Sequence, residues 1–148
     1  MPHFLLPVHP STGPLIDAFV GVSVPRQLAL TGAKQAVPNA VRIRALVDTG
    51  ASCTCIDPTV VTTLGLTPTG QTPMSTPSTG TTPHIADSYD VSLLIPCMNK
   101  APLVFQTIAI VSVPLLAPQG FHALIGRDVL KHCLLNYNGA AAMFTLAY

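Results

Sequence analysis

The segment ALVDTGAS, Ala45 to Ser52, places an aspartate directly after an apolar run. The residues that lead into it, VRIRALV, alternate between apolar and polar, which predicts a strand with its arginines on the outer face. Asp48 should therefore emerge where this strand leaves the core, and Gly50 allows a tight turn behind it. The turn presents one carboxylate in a fixed orientation. For an isolated Asp-Thr-Gly, an ordinary Asx-type turn at a strand end is the simpler interpretation.

The composition describes an apolar chain with few charges. Of 148 residues, 49% are hydrophobic and only 9% are charged, with a formal net charge of +1. This predicts one domain with its own core, excludes the basic footprint of a nucleic-acid binder, and favours self-association because little repulsion opposes it. Glutamate is absent, so the side-chain carboxylates are those of Asp17, Asp48, Asp57, Asp87, Asp90 and Asp128.

The N-terminal residues and the cysteines bear on location and on metals. The start of the chain has no basic segment before its apolar residues, and no stretch is long and apolar enough to cross a bilayer, so neither a signal peptide nor a membrane anchor is predicted. We therefore expect a cytoplasmic protein whose four cysteines are reduced. Cys53 and Cys55 lack zinc-site spacing, and we predict no metal and no cofactor.

Strand patterns dominate the rest of the chain. They cover Leu15–Val24, Val41–Val47, Tyr89–Ile95 and Leu103–Val113, and the Asn138-Gly139 pair predicts a tight type I′ turn in a C-terminal hairpin. One helix is predicted after Asp57-Pro58, with Asp57 as its cap, and a second short one over Arg127–Cys133. The fold class predicted is mainly β, a closed barrel or sandwich with one or two short helices.

The segment Leu66–His84 is rich in threonine, proline and glycine and allows two interpretations. It has the composition of a disordered tether between two half-domains. A long polar hairpin over a binding cleft would have the same composition, because functional loops of this length are often lids. The flanking strands are too few for two separate domains, which favours the hairpin.

Two motifs in a fixed order give the Asp-Thr-Gly turn a more specific meaning. VRIRALVDTGASCTCI is followed by VVTTLGL and later by HALIGRDVLKHCLLNYNG. Together they resemble the retroviral-type aspartic proteases, and most closely the cellular and bacterial retropepsin-like families. The resemblance covers residues 41–139 and implies an acid-protease half-fold, with the whole chain, 1–148, as a single protease domain.

The resemblance also implies a mechanism that one chain cannot perform alone. In this family two copies meet about a two-fold axis, so that Asp48 faces the partner's Asp48 and the pair activates a water against a peptide bond. Thr49 would lock the two turns together, Gly50 would approach the substrate, and Ala51 and Ser52 would lie beside it. A flap over residues 70–90 would close on an extended peptide, with its tip at Ser78, Thr79, Gly80 and Thr81. The residues that would support the Asp48 loop from behind are Leu124, Ile125, Gly126, Arg127 and Asp128.

The sequence departs from the viral pattern in three places. Ser52 replaces a second aspartate that pairs with the Arg127 equivalent, so Asp128 or another carboxylate is a candidate partner for Arg127. The chain continues past the last viral strand, which predicts a C-terminal hairpin over residues 133–148 that makes or extends the dimer sheet. Pro25 to Pro38 is predicted to be a surface loop.

Two other functions remain open on the sequence alone. The first is a catalytically silent dimer of the same fold that acts as a binding or assembly module, because fold does not guarantee activity. The second is a Cys/His metal protein. The intact Asp48-Thr49-Gly50 favours a homodimeric aspartic endopeptidase that takes a peptide or protein substrate and has no nucleic-acid or membrane partner.

Overall fold

The computed structural model describes residues 1–75, 82–115, 118 and 120–148. These residues form ten strands and three short helices. The strands are β1 (His3–Pro7), β2 (Leu15–Val22), β3 (Val41–Val47), β4 (Cys55–Ile56), β5 (Gly70–Met74), β6 (His84–Cys97), β7 (Lys100–Ser112), β8 (Ala123–Ile125), β9 (Leu134–Asn138) and β10 (Met143–Ala147). The helices are α1 (Val24–Gly32), α2 (Pro58–Thr63) and α3 (Arg127–Leu130).

The larger sheet closes on itself. Within the described ranges its seven strands run in the order β2-β3-β8-β4-β7-β6-β5. Strand β6 also pairs with β2, so the first strand of this order is hydrogen-bonded to the sixth. Strands β2, β3, β8, β4, β7 and β6 therefore form a closed ring, and β5 lies outside it. Closure removes the open edges that a flat sheet would expose. The predicted mainly-β, closed-barrel class with short helices is confirmed.

The alternation that predicted β3 also positions the core. Ile43, Ala45 and Val47 are buried, whereas Arg42 and Arg44 are exposed on the outer face. Strands β2, β6 and β8 contribute further apolar side chains to the same interior, because side chains on a strand alternate between its two faces. The C-terminal end of β3 is thus held in a packed barrel, and Asp48 follows it immediately.

A smaller sheet joins the two ends of the chain. In the described part of the molecule its order is β1-β10-β9, and both pairings are antiparallel. The turn between β9 and β10 differs from the tight type I′ turn that was predicted: Asn138 is opposite Met143, so four residues connect the strands. The Asn138 side chain accepts a hydrogen bond from the backbone N of Ala141, and Ala142 rather than Gly139 adopts a positive φ, 51°.

The helices agree with the sequence only in part. Asp57 caps α2 by accepting from the backbone N of Thr59, as predicted. The expected loop from Pro25 to Pro38 was wrong at its start, because α1 occupies Val24–Gly32. Pro25 fits the first turn of α1, because a backbone N–H at that position has no partner within the helix. On the inner face of the helix, Leu30 is buried. No helix in the described part of the chain has the length and hydrophobicity needed to span a bilayer.

The described part of the threonine- and proline-rich segment contains a strand. β5 pairs with β6 from Gly70 opposite Ser88 to Met74 opposite His84. This pairing favours a hairpin over a tether between half-domains, because its two sides are held in register next to the barrel. The residues predicted to form its tip, Ser78, Thr79, Gly80 and Thr81, lie outside the described residues.

Candidate active site

Asp48 lies at the end of two parallel strands. β3 pairs with β8 through Val47 and Ile125, and the backbone N of Asp48 donates to the Ile125 carbonyl at 3.0 Å. The strand direction therefore brings the residue after Val47 to the barrel edge, where its side chain is half-buried. β8 supports the Asp48 backbone directly.

The Asp-Thr-Gly turn fixes the carboxylate itself. Asp48 Oδ1 accepts a hydrogen bond from the backbone N of Gly50 at 2.8 Å, while the Asp48 carbonyl accepts from the backbone N of Ala51 at 3.3 Å. A Cβ at Gly50 would lie 3.0 Å from Oδ1 of Asp48, which is tight for that contact. One carboxylate oxygen is held by the turn, so the orientation of the carboxylate is set before any ligand binds.

Arg127 braces the turn through main-chain oxygens. Its Nη1 donates to the carbonyls of Thr49 at 2.9 Å and Gly50 at 3.2 Å, and its backbone N donates to the Ala51 carbonyl at 2.9 Å. The expectation that Asp128 or another carboxylate replaces the missing partner was wrong. The acceptors of the Arg127 side chain are backbone carbonyls, which take hydrogen bonds from Nη1.

Asp128 has a different task. Its Oδ2 accepts from the backbone N of Thr54 at 2.9 Å, and its Oδ1 accepts from the Thr54 hydroxyl at 2.8 Å. Thr54 is fully buried, and its Oγ1 also accepts from the backbone N of Gly126 at 3.2 Å. Asp128 therefore fastens the start of α3 to the chain just beyond the Asp-Thr-Gly turn, because a buried polar group needs its partners.

Gly126 allows this junction to close. A Cβ added there would lie 2.5 Å from both the C and the O of Cys53 and 2.9 Å from the backbone N of Thr54. These are backbone atoms that cannot rotate away. The glycine in the Gly-Arg motif therefore permits β8 and the segment after the turn to approach within contact distance.

A cleft of about 500 Å³ opens beside Asp48. Its lining comes from four parts of the chain: the Asp-Thr-Gly turn and its continuation, the hairpin of β5 and β6, the segment that follows β7, and β8. The described lining residues are Asp48, Gly50, Ala51, Ser52, Cys53, Cys55, Met74, Ser75, His84, Val113, Pro114, Leu115 and Leu124. Asp48 therefore borders this cleft together with residues from distant parts of the chain.

The Cys55 thiol in the cleft does not compete with the carboxylate as a reactive group. Burial raises the pKa of the Cys55 thiol well above its usual range, and the neighbouring Cys53, Asp128 and Asp48 raise it further. A protonated thiol is a poor nucleophile, since the thiolate is the reactive form.

The residues of this site lie within a match to a known protein family. The family described as aspartyl protease matches residues 34–129, which includes the Asp-Thr-Gly turn, Gly126 and Arg127. The chain belongs to the aspartyl protease family. Among curated proteins no match is found.

A solved structure supports the fold of this aspartyl protease family member. A retropepsin-like aspartic protease from Rickettsia conorii aligns with a TM-score of 0.60 and 18% identity, over 97% of this chain and 89% of that chain. The fold is therefore retropepsin-like.

The structure brings together some of the site residues predicted from the sequence and adds others. Ala51, Ser52 and Leu124 line the cleft with Asp48, whereas Arg127 and Asp128 act from behind the turn. Met74, Ser75 and His84 lie in the segment assigned to the flap, residues 70–90. Sequence reasoning did not predict the other lining residues, Cys53, Cys55, Val113, Pro114 and Leu115. No local pattern marks these residues, because it is the barrel that brings them next to Asp48.

Proposed function

We propose that this member of the aspartyl protease family is a homodimeric aspartic endopeptidase that hydrolyses peptide bonds in extended polypeptide segments. The observation that carries the proposal is the Asp48 carboxylate, which the turn orients and which borders a cleft of about 500 Å³. The whole chain, 1–148, would form one protease domain. Family membership and the retropepsin-like fold support peptidase chemistry in general.

The second acid has to come from another chain. The sequence contains one Asp-Thr-Gly, and four other aspartates already have partners within the chain. Asp57 caps α2, Asp128 binds Thr54, Asp17 pairs with Arg42 at 2.8 Å, and Asp87 accepts from the Gln71 side chain at 3.2 Å. A two-fold axis next to the turn would place Asp48 against the partner's Asp48, because an isologous interface brings identical residues together.

Such a pair supplies both an acid and a base. Two carboxylates at close range cannot both ionise without a large cost, so they share one proton over a broad pH range. The ionised member takes a proton from a water as the water attacks the peptide carbonyl carbon. The protonated member donates to the carbonyl oxygen, and the reverse transfers then protonate the leaving nitrogen.

The smaller sheet is the surface that we assign to dimer contacts. β1 and β9 are its outer strands in the described part of the chain, so each has an edge available for pairing. Leu5, Leu134 and Tyr137 on these strands are more than half exposed. Exposed apolar side chains on open strand edges favour association with another sheet. The hairpin over residues 133–148 would thereby make or extend the dimer sheet.

The β5–β6 hairpin is the element that we assign as the flap. Met74, Ser75 and His84 already line the cleft at its base. The main chain of an extended peptide next to a hairpin can form strand-like hydrogen bonds with it, and closure would separate the reacting bond and its one attacking water from bulk solvent. In this proposal Ala51 and Ser52 contact the substrate from below, and residues 78–81 contact it from above.

Digestion of a peptide library tests the function. In a digest run from about pH 4 to about pH 8, we expect cleavage within a bounded pH range, because one proton must remain on the pair. A statine-type inhibitor should block it. Activity per chain should fall on dilution, in parallel with dissociation measured by sedimentation. A stable dimer that cleaves no peptide at any pH would contradict the peptidase and favour a silent binding or assembly module.

Arg127→Lys tests the brace behind the turn. Both contacts come from one guanidinium nitrogen, Nη1, and the ammonium group of the shorter lysine side chain would not lie at the same position. A small displacement of the turn should lower kcat/KM by roughly tenfold to a hundredfold with little change in melting temperature. The matched control is Arg44→Lys, an exposed site on the outer face of β3. Equal kcat/KM values for the two variants would show that the hydrogen bonds from Arg127 Nη1 to the Thr49 and Gly50 carbonyls are dispensable.

A further inference from the structure

Asp57 does more than cap a helix. The residue is 5% exposed, and its two carboxylate oxygens have different partners. Oδ1 accepts from the backbone N of Thr59 at 3.0 Å and from the Thr59 hydroxyl at 2.7 Å. Oδ2 accepts from the backbone N of Leu115 at 3.0 Å, which is 58 residues away in the chain. One side chain therefore joins the start of α2 to the segment after β7.

The segment after β7 is a wall of the cleft. Val113, Pro114 and Leu115 all line the space beside Asp48. Val113 is still held by its backbone N, which donates to the Ile56 carbonyl at 3.1 Å, but Pro114 has no N–H to donate. Leu115 thus supplies the next backbone donor along the wall, and Asp57 is its acceptor.

The Asp57 carboxylate accepts its hydrogen bonds as a charged group. Burial alone would raise the pKa of Asp57, but the hydrogen bonds from Thr59 and Leu115, together with nearby His122, hold it below its ordinary value. Asp57 is therefore ionised at neutral pH. Hydrogen bonds to a charged acceptor are shorter and stronger than neutral ones, which suits a fixed anchor.

We propose that Asp57 is a positioning residue that holds the Val113–Leu115 wall in place and thereby sets how tightly the cleft grips a peptide. The residue touches neither the substrate nor the reacting atoms; it acts through the Leu115 backbone. The effect on peptide binding rests on the proposed function, whereas the anchoring of the wall stands without it. Asp57 is thus assigned to substrate affinity and Asp48 to chemistry.

The test separates the two contacts of Asp57. Asp57→Ser keeps an N-cap oxygen for Thr59 but has no second oxygen for Leu115. Thr59→Ala is the matched control, because it removes the hydroxyl that donates to Oδ1 and leaves the Leu115 contact intact. Three quantities are measured for wild type and both variants: KM, kcat, and amide hydrogen exchange of the peptide that contains residues 113–115.

We expect Asp57→Ser to raise KM about tenfold, with kcat within about twofold of wild type and faster exchange in residues 113–115. Thr59→Ala should leave KM and that exchange unchanged. If Asp57→Ser matches Thr59→Ala in KM, or if its exchange stays as slow as in wild type, the positioning role is wrong. A wild type that cleaves nothing would refute the peptidase, and faster exchange in Asp57→Ser would then still support the anchored wall.

Discussion

Asp48→Asn is expected to abolish peptide hydrolysis while the fold and the dimer persist. The asparagine Oδ1 can still accept from the Gly50 backbone N, so the turn keeps its hydrogen bond. A carboxamide, however, can neither take a proton from water nor share one with the opposite carboxylate. Loss of both the base and the acid of the pair should lower kcat by about a thousandfold or more.

The measurement combines kcat on the best library peptide with a thermal melt and sedimentation. Asp17→Asn is the matched control, because it makes the same substitution at an exposed ion pair with Arg42, which should contribute little to stability. A heterodimer of one wild-type and one Asp48→Asn chain should also be inactive, since each site draws one carboxylate from each chain. Substantial activity in that heterodimer would refute the shared pair.

Gly126→Ala is expected to disrupt the site and much of the stability of the fold. The new methyl group would overlap backbone atoms of Cys53 and Thr54, two of them at 2.5 Å. Relief requires β8 to move away from the turn, which would weaken the hydrogen bond from Gly126 to Thr54 and the support that Asp128 gives to Thr54. Overpacking of this kind should cost about 3 kcal/mol of unfolding free energy.

For a domain of this size that loss corresponds to a fall in melting temperature of roughly 10 °C. Gly32→Ala is the matched control: Gly32 ends α1, and a Cβ there has no neighbour within 4 Å among the described atoms. Its melting temperature should equal or slightly exceed that of wild type, because alanine is the better helix former. If Gly126→Ala has the same melting temperature as wild type, the backbone of Gly126, Cys53 and Thr54 can shift at little cost and the expectation is wrong.

Elements with a strong local pattern were predictable from the sequence. β3 alternates over its whole length, and Asp57-Pro58 combines a cap with a proline in the first turn. β1 gave no usable signal, because Pro7 argues against a strand unless it lies at a sheet edge, and its partner β10 is at the far end of the chain. The start of α1 did carry a signal, Pro25 after Ser23, but the second proline at Pro38 favoured a loop.

The turn between β9 and β10 shows the limit of a local rule. Asn138-Gly139 favours a two-residue turn in isolation. The register of β9 on β10, which places Asn138 opposite Met143, leaves four residues to connect the strands. Cross-strand packing and the pairing of β10 with β1 decide that register, and the turn follows it.

The sequence by itself determined that one aspartate follows an apolar strand in an Asp-Thr-Gly turn and that a Gly-Arg-Asp element occurs later in the chain. Only the tertiary structure decided what those later residues bind. Arg127 reaches two carbonyls 77 and 78 residues away, Asp128 reaches Thr54 across 74 residues, and Asp57 reaches Leu115 across 58. Contacts between such distant residues depend on the closed barrel that brings the strands together, whereas the turn at Asp48 depends on hydrogen bonds between neighbours.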